Sequence, residues 1–316
     1  MPPVPPVAPV VDPVRLRWSV VIPVHDCAGY LAEALPEVLA QLGGRADAEV
    51  VVVDDASHDD PAAVVARLGR GRVAYERNPE NLGAVATFNR CLALARGELV
   101  HLLHGDDEVL PGFYTAVERA LDDVGGSVAA VCRAEDVTAD GRPTHTTRSY
   151  RHGTGVWTDA LESLALSNRV RAPGIVVRRA AYEAVGGFRT DLPHAADWEM
   201  WARLAAHGPV VFVDEVLARY RRHDASDTST RVQSGANVRE RVTAIGSVLA
   251  HVPPGRRGPL RRRALAYAAV FAGRTALQLA RTHRWRGAGR QVREALRCLR
   301  LLVAPAAPGE PSPTSR

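Results

Sequence analysis

The chain of 316 residues is long enough to bury one large α/β core and still carry an appended segment. Its four cysteines, Cys27, Cys91, Cys132 and Cys298, are scattered, with no C-x-x-C pair and no finger-spaced His cluster; this argues against a disulfide framework or a structural zinc and fits a reducing cytoplasm. No stretch reaches the ~18 uninterrupted apolar residues of a spanning helix. The net charge of +5 divides unevenly, since residues 231–303 hold sixteen Arg against two Glu and the first 230 residues therefore carry about −9.

Residues 1–14 alternate Pro and Val without the charged start of a signal peptide and are expected to form a disordered extended tail. Trp18–Val24 predicts a strand and Tyr30–Leu42 a helix; Glu49–Val53 predicts a second strand, ending in Asp54-Asp55-Ala56-Ser57, and Pro61–Leu68 a helix. Val73–Tyr75, Ala84–Ala95 and Leu99–Leu103 continue as strand, helix and strand. The last of these ends in Asp106-Asp107, with Pro111 opening a new helix. Strand and helix alternating through short connections predict parallel βαβ units in a doubly wound sheet, where ligands bind beyond the strands' carboxyl ends. Asp54, Asp55 and Asp106 all fall there.

Val128–Cys132 continues the sheet and Asp140-Gly141 signals a hairpin. A helix over Thr158–Leu166, a strand over Gly174–Val177, a helix ending at Gly186-Gly187, a helix over Ala196–Ala206 and a strand over Val210–Val213 follow. Beyond Ser234 the pattern is helical, and residues 304–316 form a Pro-rich tail expected to be disordered. The chain thus divides into a tail (1–14), an α/β unit (15–230), an Arg-rich helical extension (231–303) and a second tail (304–316).

Four blocks occur in order: Ile22-Pro23-Val24-His25-Asp26, Val53-Asp54-Asp55-Ala56-Ser57, Asn81-Leu82-Gly83 through Asp107, and Asp197-Trp198-Glu199 with Tyr220-Arg221-Arg222-His223. On these the chain resembles the inverting glycosyltransferases of family 2, with the GT-A fold, over residues 17 to about 226. The resemblance implies a Rossmann-like mixed sheet flanked by helices, a nucleotide-diphospho-sugar donor, a hydroxyl acceptor on a polysaccharide, lipid-linked or secondary-metabolite glycan, and Mn2+ or Mg2+. It implies that Asp54 and above all Asp55 contact the nucleotide, with Pro23, Val24 and Asn81. Asp106 falls at the last position of the family's D-x-D motif, as a metal ligand. Here the motif is His104-Gly105-Asp106, an imidazole replacing the first acid, and Asp107 stands next to it to compensate. Asp197 matches the catalytic base, although Ala196 occupies the preceding position where an acid is usual, and Glu199 is the alternative base. His223 matches a ligand of the metal or the diphosphate, and Arg221 or Arg222 pairs with the diphosphate. The competing structural roles are an Asx-turn or helix cap at Asp54–Ser57 and a dipole-stabilised acid at Asp197.

Two other functions remain open at this level: a sugar nucleotidyltransferase, which would carry a Gly-rich loop that the segment after the first strand lacks, and a non-catalytic nucleotide-sugar-binding protein of the same fold. In the extension, Arg286, Arg290, Arg293, Arg297 and Arg300 form one stripe, with Val292, Leu296, Leu299 and Val303 placed opposite. This suits peripheral contact with an anionic membrane, and equally a helix packed on Ala264–Ala280 with its Arg face in water. No recognition motif supports nucleic acid.

Overall fold

The computed structural model describes residues 4–10, 16–42, 44–223 and 227–303. In chain order the elements are β1 (Trp18–Val24), α1 (Ala28–Leu42), β2 (Ala48–Asp54), α2 (Pro61–Leu68), β3 (Val73–Arg77), α3 (Ala84–Leu94), β4 (Leu99–Leu102), β5 (Glu108–Val109), α4 (Phe113–Asp123), β6 (Ala129–Thr138), β7 (Pro143–Thr146) and β8 (Gly155–Val156). They continue as α5 (Ala160–Leu166), β9 (Ile175–Arg178), α6 (Arg179–Val185), α7 (Ala196–His207), β10 (Val210–Arg222), α8 (Asp227–Ser234), α9 (Ala236–Ala250), α10 (Pro254–Arg281) and α11 (Trp285–Val303).

One sheet runs in the order β3-β2-β1-β4-β9-β6-β10-β5. The first four strands are parallel, as the βαβ alternation predicts. β9 then enters antiparallel to both β4 and β6, and β6 and β10 run parallel to each other, so the sheet is mixed rather than uniformly parallel. A fully buried strand is an apolar run whichever way it points, so its direction is not encoded in its hydropathy. Alternate residues of the strands feed two cores. Val20, Ile22 and Val52 pack against Leu31, Leu35 and Phe113 on one side, and Val21, Val53 and Val100 pack against Leu92, Trp198 and Tyr182 on the other.

β6 and β10 each extend well beyond the predicted Val128–Cys132 and Val210–Val213. Their second halves are polar, and they hold together by mutual pairing, with Ala218 opposite Ala134 and Tyr220 opposite Asp136. This ribbon carries Asp136 and Arg221 to the sheet's carboxyl end and leads into His223. The hairpin at Asp140-Gly141 forms, with Gly141 at φ +80°.

Residues 4–10 are packed where a free tail was expected. Val7 is buried, Gly187 N–H donates to the Pro5 carbonyl (2.7 Å), and Arg179 Nη2 donates to the Ala8 carbonyl (2.8 Å). A Pro/Val segment has few donors but keeps every carbonyl, and this one uses them. The remaining tail residues, 1–3, 11–14 and 304–316, lie outside the described residues. The helical extension shares the second core, since Val238, Ile245 and Val248 of α9 and Leu260, Ala264 and Ala268 of α10 join Trp198 and Leu204 of α7. In α11 the buried positions are Gly287, Ala288, Gln291, Glu294 and Cys298. Val292, Leu296, Leu299 and Val303 are exposed, so the packed face is not the aliphatic one.

Candidate active site

The Asp54-Asp55 turn closes β2. Asp54 is fully buried and accepts hydrogen bonds from Ser57 N–H (2.9 Å), Ser57 Oγ (2.5 Å), Tyr75 OH (2.6 Å) and the Arg77 guanidinium. Burial pushes its carboxyl up, but the bonds from Ser57 and Tyr75 and the Arg77 charge outweigh that and hold it below the ordinary carboxylate range. Asp55 accepts from Asn78 Nδ2 (2.6 Å) and Leu82 N–H (2.8 Å) on one oxygen and from Gly83 N–H (2.9 Å) on the other. Both acids expected at the nucleotide are therefore buried and saturated by protein donors, and Asp55 fixes the 78–83 loop. Pro23 and Val24 also have buried side chains, and their carbonyls accept from Gly105 N–H (3.0 Å) and Asp55 N–H (2.8 Å). Of this group Asn81 is exposed, its Nδ2 3.0 Å from His25 Nε2. Sequence reasoning passed over His25, although the apolar strand before it was legible. Its Nδ1 lies 2.9 Å from the Asp55 carbonyl, and it sits beside Asp26 and His58 in an exposed cluster.

The second acidic turn is His104–Asp107, after β4. Gly105 is required by a close approach, because a Cβ there would sit 2.6 Å from Val24 Cγ1 and 2.9 Å from Cys27 Sγ. His104 stacks on Phe88 with centroids 4.9 Å apart, and its burial lowers its pKa. Asp106 Oδ2 lies 2.9 Å from His223 Nε2, and Asp107 Oδ1 accepts from Arg221 N–H (2.9 Å). Asp107 Oδ2 is buried and has no hydrogen-bond partner among the described residues. Burial and the neighbouring Asp106 charge push the Asp107 carboxyl well above its ordinary value; at Asp106 burial acts in the same direction, but the His223 bond and the charges of His104 and His223 outweigh it and lower the pKa.

Arg221, expected at the diphosphate, is instead buried and fully engaged. Its guanidinium donates to the Asp106 carbonyl (3.1 Å), the Ala139 carbonyl (2.8 Å), Glu33 (2.7 Å) and Glu108, and lies 4.6 Å from the Tyr30 ring centre. It is the strut that holds the acidic turn. Arg222 remains largely exposed, 3.9 Å from Asp136.

At the head of α7, Asp197 accepts from Asn168 Nδ2 (2.8 Å) and from Trp198 N–H (2.6 Å), and burial raises its pKa against both. Glu199, the alternative base, is corrected by its surroundings. It is buried, paired with Arg203 (2.8 Å) and bonded by Ser247 Oγ (3.2 Å), which makes it a core ion pair with no face for a substrate. Arg171 carries no sequence signal of its own. It pairs in bidentate fashion with Asp136 (2.6 and 2.9 Å), and its charge acts on both Asp107 and Asp197, so it links the acidic turn to α7.

His104, Asp106 and Asp107 each bring one ligand atom within 4.8 Å of the others. A buried carboxylate oxygen without a donor, beside a second carboxylate and an imidazole, suits a hard divalent cation, which would relieve the repulsion between the two acids. His223, bonded to Asp106, completes a donor set drawn from two distant parts of the chain.

Residues 19–184 match the sequence profile of Glycosyl transferase family 2. An uncharacterized protein of Mycobacterium tuberculosis is 33% identical over 71% of this chain and 72% of its own length, and an uncharacterized glycosyltransferase of Rickettsia typhi is 24% identical over 67% and 66%. The succinoglycan biosynthesis protein ExoU of Rhizobium meliloti is 33% identical over 39% of this chain and 36% of its own. Among solved structures, S. aureus TarS 1-349 in complex with UDP-GlcNAc superposes with a TM-score of 0.68 at 18% identity, covering 91% of this chain and 84% of that one. The mannosyltransferase PcManGT from Pyrobaculum calidifontis, in complex with GDP-Man and Mn2+, gives 0.58 at 21% identity, covering 93% and 89%. These likenesses establish the GT-A fold. By sequence and fold together, the chain is a glycosyltransferase and belongs to glycosyl transferase family 2.

Proposed function

We propose that the enzyme moves a glycosyl group from a nucleotide-diphospho-sugar to a hydroxyl of a glycan, lipid-linked or small-molecule acceptor, with inversion at the anomeric carbon. The observation that carries this reading is the His104–Asp107 turn, where the buried Asp107 Oδ2 accepts no hydrogen bond and has His104 Nδ1 3.7 Å away. Asp106, Asp107, His104 and His223 would hold Mn2+ or Mg2+, whose chemistry when bound is to neutralise the charge of the departing nucleoside diphosphate. The donors named for the two structural neighbours, UDP-GlcNAc and GDP-Man, support a nucleotide sugar in this cleft. The exposed His25 and Asn81 face the base, held by the Asp55-pinned loop.

Asp197 takes the proton of the acceptor hydroxyl as that oxygen attacks the anomeric carbon from the side opposite the leaving phosphate. A raised carboxyl pKa makes it a better proton acceptor than an exposed aspartate, and Asn168 and Trp198 N–H orient it. Arg171, anchored on Asp136, lowers the pKa of both Asp107 and Asp197 through its charge and so couples the two sites.

Thermal-shift screening of UDP, GDP and dTDP sugars, with and without Mn2+, tests the reading. A matching donor should raise the unfolding midpoint only when the metal is present, by an amount that follows RT ln(1 + [L]/Kd). Equal shifts with and without metal would overturn the metal assignment, and no shift with any donor would overturn the donor class.

A further inference from the structure

We propose that the outer face shared by α10 and α11 docks on an anionic lipid bilayer, lying in its interface rather than crossing it. Val270 and Leu277 of α10 and Trp285, Val292, Leu296 and Leu299 of α11 are each 48–64% exposed. Between the helices runs a groove of about 490 Å3, floored by Gly273, Ala276, Ala280, Ala288 and Gly289. Helix α11 packs inward through Gly287, Ala288, Gln291, Glu294 and Cys298, where Gln291 bonds Asn237 Oδ1 (2.8 Å) and Glu294 pairs with Arg239 (3.1 Å). At its C-terminal end α11 packs Leu301 and Leu302 on the core, but along the rest of the seam it uses small and polar groups and leaves Val292, Leu296 and Leu299 outside.

Charge selects the occupant. At about 100° per residue, Arg286, Arg290, Arg293, Arg297 and Arg300 border the aliphatic stripe instead of opposing it. Arg286, Arg293 and Arg300 have no acidic partner among the described residues. A second copy of the chain docked here would bring two segments of about +14 together, whereas lipid phosphates neutralise them. Residues 304–316 contain no Leu, Ile, Val, Phe or Trp with which to fill the groove themselves. No helix among the described residues is long and apolar enough to cross a membrane, so the face lies on the bilayer, its apolar side chains at the headgroup boundary.

The inference is independent of the transfer reading and is tested on the full chain with phosphatidylcholine vesicles, with and without phosphatidylglycerol, at low and high salt. Trp285 is an internal probe, because Trp18, Trp157, Trp198 and Trp201 are buried. Binding to the anionic vesicles at low salt should shift its emission to the blue and should be lost at high salt. Leu296→Glu with Leu299→Glu should weaken vesicle binding by tenfold or more, and Arg293→Gln with Arg300→Gln by about fivefold per arginine. Both variants should retain the wild-type melting temperature. Binding that neither variant changes, or equal binding to neutral and anionic vesicles, would overturn the proposal. So would absent vesicle binding together with a dimer that the Leu→Glu variant dissociates.

Discussion

Two parallel strands of this sheet end in a pair of adjacent aspartates, and the two pairs have opposite fates. At Asp54-Asp55 every carboxylate oxygen meets a donor from the protein, and the turn is a pin that fixes the 78–83 loop. At Asp106-Asp107 one buried oxygen meets none, and the two charges sit side by side with an imidazole on either hand. A saturated carboxylate contributes to stability; an unsaturated one contributes little until a ligand arrives. The same contrast recurs on α7, where Glu199 is locked to Arg203 and Asp197 retains a raised pKa at the helix head.

The largest effect is expected at Asp197, the acid whose carboxyl pKa burial raises. Asp197→Asn should lower kcat by about 10² to 10⁴ while leaving donor affinity and the melting temperature near wild type. Because the deprotonated form is the active one and burial raises the pKa, wild-type kcat/KM should fall as pH drops through a value above the ordinary aspartate range. Glu199→Gln, by contrast, should destabilise the fold, since it leaves Arg203 buried without its partner charge, by about 3 kcal/mol. A stable, inactive Glu199→Gln enzyme would reverse the assignment of the two acids. Next in size, Asp106→Asn should cost about 10² to 10³ in metal-dependent transfer without changing the melting temperature, because a neutral amide is a poor ligand for a hard cation.

The saturated turn should behave in the opposite way. Asp55→Ala removes the acceptor for the Asn78 amide and two backbone N–H groups, and should lower stability by about 3 kcal/mol and the melting temperature by on the order of 5–10 °C, read by calorimetry. An Asp55→Ala protein of normal stability that fails to bind donor would break the comparison. The smallest effect is expected from His104→Asp, which restores the family's D-x-D motif: about threefold tighter Mn2+ binding by titration calorimetry, with slightly lower stability in the absence of metal from the added repulsion. A complete loss of donor binding would show that the imidazole, stacked on Phe88, makes a contact of its own with the donor.

Much of this was legible in the chain. The apolar runs of β1, β2 and β4 and the acids at their ends mark the carboxyl edge of a sheet, because a buried parallel strand must be apolar and its polar continuation must leave the core. The extensions of β6 and β10 were not legible. Residues such as Arg133, Glu135 and Arg219 have no strand signature and hold their conformation by pairing with each other. Arg221 and Arg222 are indistinguishable in sequence, yet one is buried among four acceptors and the other is exposed, a difference set by which side of β10 faces α1. On α11 the stripes of Arg and aliphatic residues were visible, but which stripe packs depends on how the helix is rotated against α10.

The sequence by itself determined the alternation of the first strands and helices, the positions of the acids that follow those strands, and membership of the family, since local apolar patterning and a run of motifs suffice for those. The tertiary structure alone decided which carboxylate oxygens are satisfied. Asp107 takes its hydrogen bond from Arg221, 114 residues away, and Asp106 meets His223, 117 residues away. Saturation is a property of neighbours in space, and a strand edge exposes or closes an acid only once the chain has returned to cover it.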